Sequence, residues 1–368
     1  MTIAQESFAP LVQQFFAEDD EGHGEATELC VYLDGRKVVD VSRGGYPAGG
    51  VQVVRSASKG VLALLAAMLH ERGEVDLDAP VADVWPEFAQ QGKKRVTIRL
   101  LLAHQAGLPV FDEPLSAADA LSWQPAVEML ERQRPRWEPG TQHGYHDLTF
   151  GWLVGEVLRR ATGRDVSRLV TEEFSHRLSL DLWIGTPMAE LARVRPLQSP
   201  PTGRSALPAP QGFDRGLLAG ALDNPDLGGL EHSIEYLTAE VPAANCVSNA
   251  RSLCRLFAAS VAPVDGTRLV GAKTLGNVTA PRAEGPDLVV GWYRRYASGF
   301  MLPEATRPMG GVDSACFGHY GQGGVLVFAD PETSLAFAYA TTMTRSYLGS
   351  DPRTSVLARL ALECARRA

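Results

Sequence analysis

Residues Leu29–Gly44 read LCVYLDGRKVVDVSRG, and this stretch decides the architecture. Both flanks are rich in β-branched and aromatic residues. Asp34-Gly35 between them is the strongest short-range hairpin signal, because the tight turn needs backbone angles that these two residues adopt at low cost. Two antiparallel strands are expected. Near the other end, GGVLVFADPETSLAFAYATT (Gly323–Thr342) reads the same way, with strands at Val325–Phe328 and Leu335–Tyr339 and a turn at Asp330 and Pro331.

The signals between the hairpins are helical. In VQVVRSASKGVLALLAAMLHERGEV (Val51–Val75), Ser56 or Ser58 can cap a helix running to about Glu71, with Gly73 as its stop. Further helices are expected from Thr97 (TIRLLLAHQAG, ended by Gly107), from Asp147 to Ala161 (ended by Gly163), from Asp165, from Ser248 (SNARSLCRLFAASV) and over Pro352–Arg367. Six prolines between Thr186 and Phe213, at 187, 196, 200, 201, 208 and 210, mark an irregular surface excursion. The simplest arrangement is an α/β fold. The two terminal hairpins join into one antiparallel β-sheet flanked by the first and last helices, with an all-helical insert lobe between them. Residues 1–80 plus 241–368 then form the α/β domain and 81–240 the mainly helical insert, with the active site expected in the cleft between them.

Composition narrows the function. With 368 residues, 45% hydrophobic and 21% charged, the chain is long and apolar enough for a large core, so disorder is excluded. A net charge of −8 argues against nucleic acid or an anionic membrane as the main partner. The longest apolar run, Val61–Leu69, falls well short of the ~20 residues that span a bilayer. The opening MTIAQESFAP lacks the pattern of a secretory signal, so a cytoplasmic location is expected. Five scattered cysteines without a C-x-x-C support neither a disulfide framework nor a zinc site. Only five lysines occur, at 37, 59, 93, 94 and 273, so a lysine with a chemical task stands out.

Three stretches carry chemistry. Ser56-Ala57-Ser58-Lys59 is an S-x-x-K, which on a helix places the Ser56 hydroxyl and the Lys59 amine on one face. Serine attacks only when a neighbour takes its proton, and a lysine desolvated by apolar surroundings can do so. Next, Trp137-Glu138-Pro139-Gly140-Thr141 forms a turn that delivers Tyr145-His146-Asp147; a phenol there could relay a proton, while Asp147 suits a helix cap. Third, Phe317-Gly318-His319-Tyr320-Gly321-Gln322-Gly323-Gly324 leads into the last hairpin. Its glycines allow close backbone approach and a free N–H for an oxyanion, or simply a bulge or turn.

In this order and approximate spacing, S-x-x-K (Ser56, Lys59), Y-x-N/D (Tyr145, Asp147) and K/H-x-G (His319, Gly321) resemble the serine β-lactamase-like superfamily, most closely the class C β-lactamases and family VIII carboxylesterases. The segments Leu101–Pro109, Pro139–Leu158, Pro242–Ala258 and Gly318–Gly324 are similar to stretches in those esterases, so the resemblance extends from about Leu29 to Tyr339. It implies a β-lactamase/transpeptidase-like fold and an acyl-enzyme on Ser56. Lys59 and Tyr145 would share the proton, and the backbone N–H groups of Ser56 and Gln322 would form the oxyanion hole. Asp147, His319, Tyr320 and Gly321 would meet the substrate, with no metal or cofactor required. Two departures from the family pattern, His319 where lysine is typical and Asp147 where asparagine is usual, disfavour a carboxylate-bearing β-lactam or peptide. A small-molecule ester is therefore the expected substrate. An acyltransferase or transesterase using the same acyl donor chemistry stands second. An amidase, peptidase or β-lactamase, and a silent binding protein, stand further off.

Overall fold

The computed structural model describes residues 3–17, 26–198, 214–344 and 351–368. The prolines at 200, 201, 208 and 210 therefore lie outside the described residues. The main sheet has six antiparallel strands: β1 (Ile3–Ala4), β2 (Thr27–Leu33), β3 (Arg36–Arg43), β4 (Phe317–Gly321), β5 (Val325–Asp330) and β6 (Leu335–Thr341), in the order β1-β3-β2-β6-β5-β4. Both expected hairpins form, and β2 pairs with β6 (Cys30 opposite Ala338), which joins the two ends of the chain in one sheet. Asp34 and Gly35 take positive φ at the first turn.

Side-chain alternation along β6 shows how the two faces are used. Leu335, Phe337 and Tyr339 point to one face, and Ala336, Ala338 and Ala340 to the other. The large side chains meet Phe8, Leu11 and Phe15 near the N-terminus and Leu357, Ala361 and Leu362 of the last helix. Phe337 also stacks on Phe328, its cross-strand partner, at 5.1 Å. On the alanine face, the helix Ala250–Val261 packs closely enough for the Cys254 thiol to reach the Ala336 carbonyl at 3.3 Å. The helix Ala57–Glu71 lies against β4 on that same face. The sheet is therefore flanked as expected, with the helix that follows Ser56 on one face and the last helix on the other. The last helix also packs on a helix that the sequence reading did not anticipate, Ala9–Ala17, whose Leu11 and Phe15 lie one turn apart on one face.

Helix ends also depart from the sequence reading. The helix after Thr97 stops at Leu102, because His104 adopts a left-handed φ of +59° well before Gly107. Asn249, not Ser248, caps the helix Ala250–Val261 by accepting from the Ser252 N–H, while Ser248 belongs to a short strand. Nor is the insert wholly helical. Leu182–Trp183 pairs with Val247–Ser248, which pairs with Gln52–Val53 just before Ser56, so a small sheet ties the segment to the turn that carries Ser56. Among the described residues, no helix is long and apolar enough to cross a membrane.

Candidate active site

Ser56 stands at the N-cap of the helix Ala57–Glu71, yet its side chain caps nothing. The turn is held by other groups. The Ser58 hydroxyl donates to the Arg55 carbonyl and accepts the Cys246 N–H at 3.0 Å, and the Ala57 N–H donates to the Val54 carbonyl at 3.2 Å. Arg55 takes a left-handed φ of +50° to make the entry. The Ser56 hydroxyl is thus left for chemistry.

Lys59 lies one turn along and is fully buried. Its Nζ faces three oxygens: Ser56 Oγ at 3.2 Å, Asp147 Oδ1 at 3.3 Å and the Ala243 carbonyl at 3.1 Å. An ammonium satisfies all three as a donor. Once a proton is lost, the amine keeps two N–H donors for Asp147 and Ala243 and turns its lone pair to Ser56 Oγ. The contacts to Asp147 and Ala243 hold Nζ beside Ser56 Oγ.

Tyr145 arrives on the loop after the Pro139-Gly140 turn. Its backbone N–H donates to Asp287 Oδ1 at 3.1 Å, its ring stacks on Tyr296 at 6.4 Å and packs on His104 at 5.0 Å, and Lys59 Nζ sits 4.8 Å from the ring centre. Burial pushes the phenol above its ordinary value. The Lys59 charge and hydrogen bonds from the Ser56 and Lys59 side chains pull the other way. The group is therefore a neutral phenol at neutral pH, suited to relaying a proton. Asp147 does not cap the following helix, contrary to the sequence expectation. The N-cap is Leu148, and the carboxylate is engaged by Lys59.

The glycine-rich strand explains itself through contact. A Cβ on Gly321 would stand 2.3 Å from the Val54 carbonyl oxygen, so only glycine lets the end of β4 lie against the turn that carries Ser56. Gln322 follows at the cleft edge, and within the described residues neither its backbone N–H nor that of Ser56 donates to a protein acceptor. Tyr320 and Gly321 line the cleft, and the Tyr320 hydroxyl accepts the Met309 N–H at 3.2 Å. His319 is not among the lining residues, and its ring lies 6.3 Å from that of Tyr145, centre to centre. It sits on the opposite face of β4, fully buried against the helix of Lys59. Its Nδ1 donates to the Tyr320 carbonyl at 2.7 Å, and burial, reinforced by the Lys59 charge, holds it well below the usual imidazole range and so neutral. His146 is a framework residue: its Nε2 accepts the Leu108 N–H at 3.0 Å, and burial lowers it to about 4.

Around these groups lies a cleft, partly open to solvent, lined by Ser56, Tyr145 and Asp147. One wall is apolar, from Leu218, Ala221 and Leu222 of the helix Arg215–Asp223 together with Val289 and Val290. Arg294 and Arg307 also reach it. Sequence reading missed these residues, because none belongs to a local motif and they converge only through the fold. All five cysteines are free and buried, and burial pushes the Cys246 thiol to about 12, so a thiol nucleophile has no support here.

The family model described as Beta-lactamase matches residues 12–361. The chain is 34% identical over 339 residues to the esterase/beta-lactamase LipL of Mycobacterium tuberculosis, covering 84% of this chain and 75% of that protein. Among solved structures, a family VIII carboxylesterase superposes with a TM-score of 0.89 at 30% identity, covering 99% of both chains. A penicillin-binding protein homologue from Caulobacter crescentus gives 0.90 at 31% identity, also covering 99% of both chains. EstA from Arthrobacter nitroguajacolicus Rue61a gives 0.90 at 28% identity, covering 100% of this chain and 99% of that one.

Proposed function

The chain belongs to the beta-lactamase family, and on that premise we propose that it is a serine hydrolase that cleaves small carboxylic esters through an acyl-enzyme on Ser56. The observation that carries this reading is the buried Lys59 amine 3.2 Å from a Ser56 hydroxyl that opens onto a cleft and caps nothing. The esterase names of its relatives point the same way.

In the first half-reaction, Ser56 Oγ bonds to the ester carbonyl carbon while its proton passes to the Lys59–Tyr145 pair. The carbonyl oxygen takes up negative charge against the backbone N–H groups of Ser56 and Gln322, with the helix N-terminus adding favourable potential. Collapse breaks the bond to the alcohol oxygen, which leaves with the proton held by the pair. In the second half-reaction, water gives a proton to the same pair, attacks the acyl carbon and releases the acid, and Ser56 recovers its proton. Each group is used twice, so no external reactant beyond water is needed. The apolar wall of Leu218, Ala221 and Val289 suits an uncharged acyl or alcohol chain.

The test is steady-state hydrolysis of a short p-nitrophenyl ester. We expect Ser56→Ala and Lys59→Ala each to lower kcat by about 10³-fold or more, and Tyr145→Phe to leave a small residual rate. Full activity in Ser56→Ala would overturn the proposal.

A further inference from the structure

Gln322 carries the second proposed oxyanion donor. It opens a three-residue turn completed by Gly323 and Gly324, with φ of +98° and +119°. The backbone hydrogen bond closing that turn, Gly324 N–H to the Gly321 carbonyl, is 3.3 Å long. Among the described residues, the Gln322 side chain is reached by Arg55, the residue just before Ser56. Arg55 Nη1 donates to Gln322 Oε1 at 2.9 Å, and its other terminal nitrogen, Nη2, donates to Glu231 Oε2 at 2.8 Å. A planar guanidinium engaged at both terminal nitrogens has its plane and position fixed, which a lysine ammonium could not reproduce. The left-handed backbone of Arg55 belongs to the same turn that presents Ser56.

We infer that Arg55 is a positioning residue for the reaction. Through the Gln322 side chain it sets the Gln322 backbone N–H against Ser56, and Glu231 steadies Arg55 through its other terminal nitrogen. The inference rests on the acyl-enzyme reading of Ser56. It goes beyond that reading by assigning a role to a cation that no catalytic motif includes. Because the donors act on charge that develops only in the transition state, losing their alignment should lower kcat and leave KM nearly unchanged.

The experiment is a double-mutant cycle on Arg55→Met and Gln322→Ala, the latter keeping the backbone N–H. Each single variant should lose about tenfold in kcat, less than the 10²–10³ seen when a donor is removed outright, with KM within about twofold. Affinity for a short alkyl boronic acid, whose tetrahedral adduct places an oxygen on the same donors, should fall in parallel. The double variant should fall no further than either single one. Glu231→Gln, which leaves the Arg55–Gln322 bond in place, should show a smaller loss of the same kind and guards against a folding defect in Arg55→Met. Additive losses, an effect on KM alone, or unchanged kcat in Arg55→Met would overturn the inference. Fluorophosphonate labelling run alongside separates the two levels. If Ser56 is labelled while the cycle is additive, the Arg55 role fails alone; if Ser56 is not labelled in the unaltered protein, the acyl-enzyme reading fails first.

Discussion

Gly321→Ala isolates the closest backbone approach in the site. The new Cβ would lie 2.3 Å from the Val54 carbonyl oxygen, whereas real Cβ atoms essentially never come nearer than 3.0 Å. The end of β4 must then withdraw from the Ser56 turn by 0.7 Å or more, the difference between those two distances. Gly321 does not have the positive φ that would strain an alanine, so the perturbation is steric alone. A misplacement of ~1 Å at a catalytic site costs about 10²-fold, and Gln322 is the next residue along the displaced strand. We therefore expect kcat for a p-nitrophenyl ester to fall by about 30- to 100-fold. The overpacking cost should be about 1–3 kcal/mol, small enough that thermal denaturation still shows a folded protein. Gly276→Ala is the matched control: the site is exposed on the helix Ala272–Thr279 with nothing within 4 Å of a new Cβ, so activity should hold and stability rise by about 0.5–1 kcal/mol. If Gly321→Ala matched the unaltered protein in kcat, the close packing of β4 on the Ser56 turn would not be what aligns the site.

Two further outcomes follow from buried groups and from the cleft wall. His146 is held at about 4 by burial against an unfolded value near 6.5, so the native state prefers it neutral. Its contribution is complete above pH 6.5 and is lost as pH falls through 6.5 toward 4. The loss should be about 2 kcal/mol at pH 5 from this residue alone, with His104 and His319 shifted in the same direction. Urea denaturation at pH 7 and 5 should show it, His146→Asn should flatten the pH dependence, and equal stability at the two pH values would contradict the reading. On the apolar wall, two extra acyl methylenes should favour a butyrate over an acetate ester by about tenfold, at roughly 0.8 kcal/mol each. Ala221→Trp should erase that preference in kcat/KM while sparing the acetate, and an unchanged butyrate preference would place the acyl chain elsewhere.

The sequence was most readable where chemistry and local structure share one segment. Asp34-Gly35 and the Asp330–Pro331 turn announced the hairpins that form the centre of the sheet, and the motifs of Ser56, Lys59 and Tyr145 meet in space, with Ser56 and Tyr145 lining the cleft and Lys59 buried behind them. It misled where one residue could serve two ends. Asp147 has the chemistry of a helix cap, but a buried lysine 88 positions earlier claims it, because leaving that ammonium without an anion would cost more than leaving a helix end uncapped. His319 belongs to a triplet whose Tyr320 and Gly321 line the cleft. Strand alternation turns its side chain to the opposite face from Tyr320 and buries it. Arg55–Gln322, 267 positions apart, and the wall built by Leu218 and Val289 could not be read at all, since long-range pairs leave no local pattern.

The central claim is that Ser56 carries the acyl group. The direct measurement is intact-protein and peptide mass spectrometry after brief exposure to a p-nitrophenyl ester, quenched in acid. We expect the mass of one acyl group on the peptide containing Ser56, with none on the Ser56→Ala variant. An acyl group on another residue, or hydrolysis at full rate in a protein that never acquires one, would contradict it.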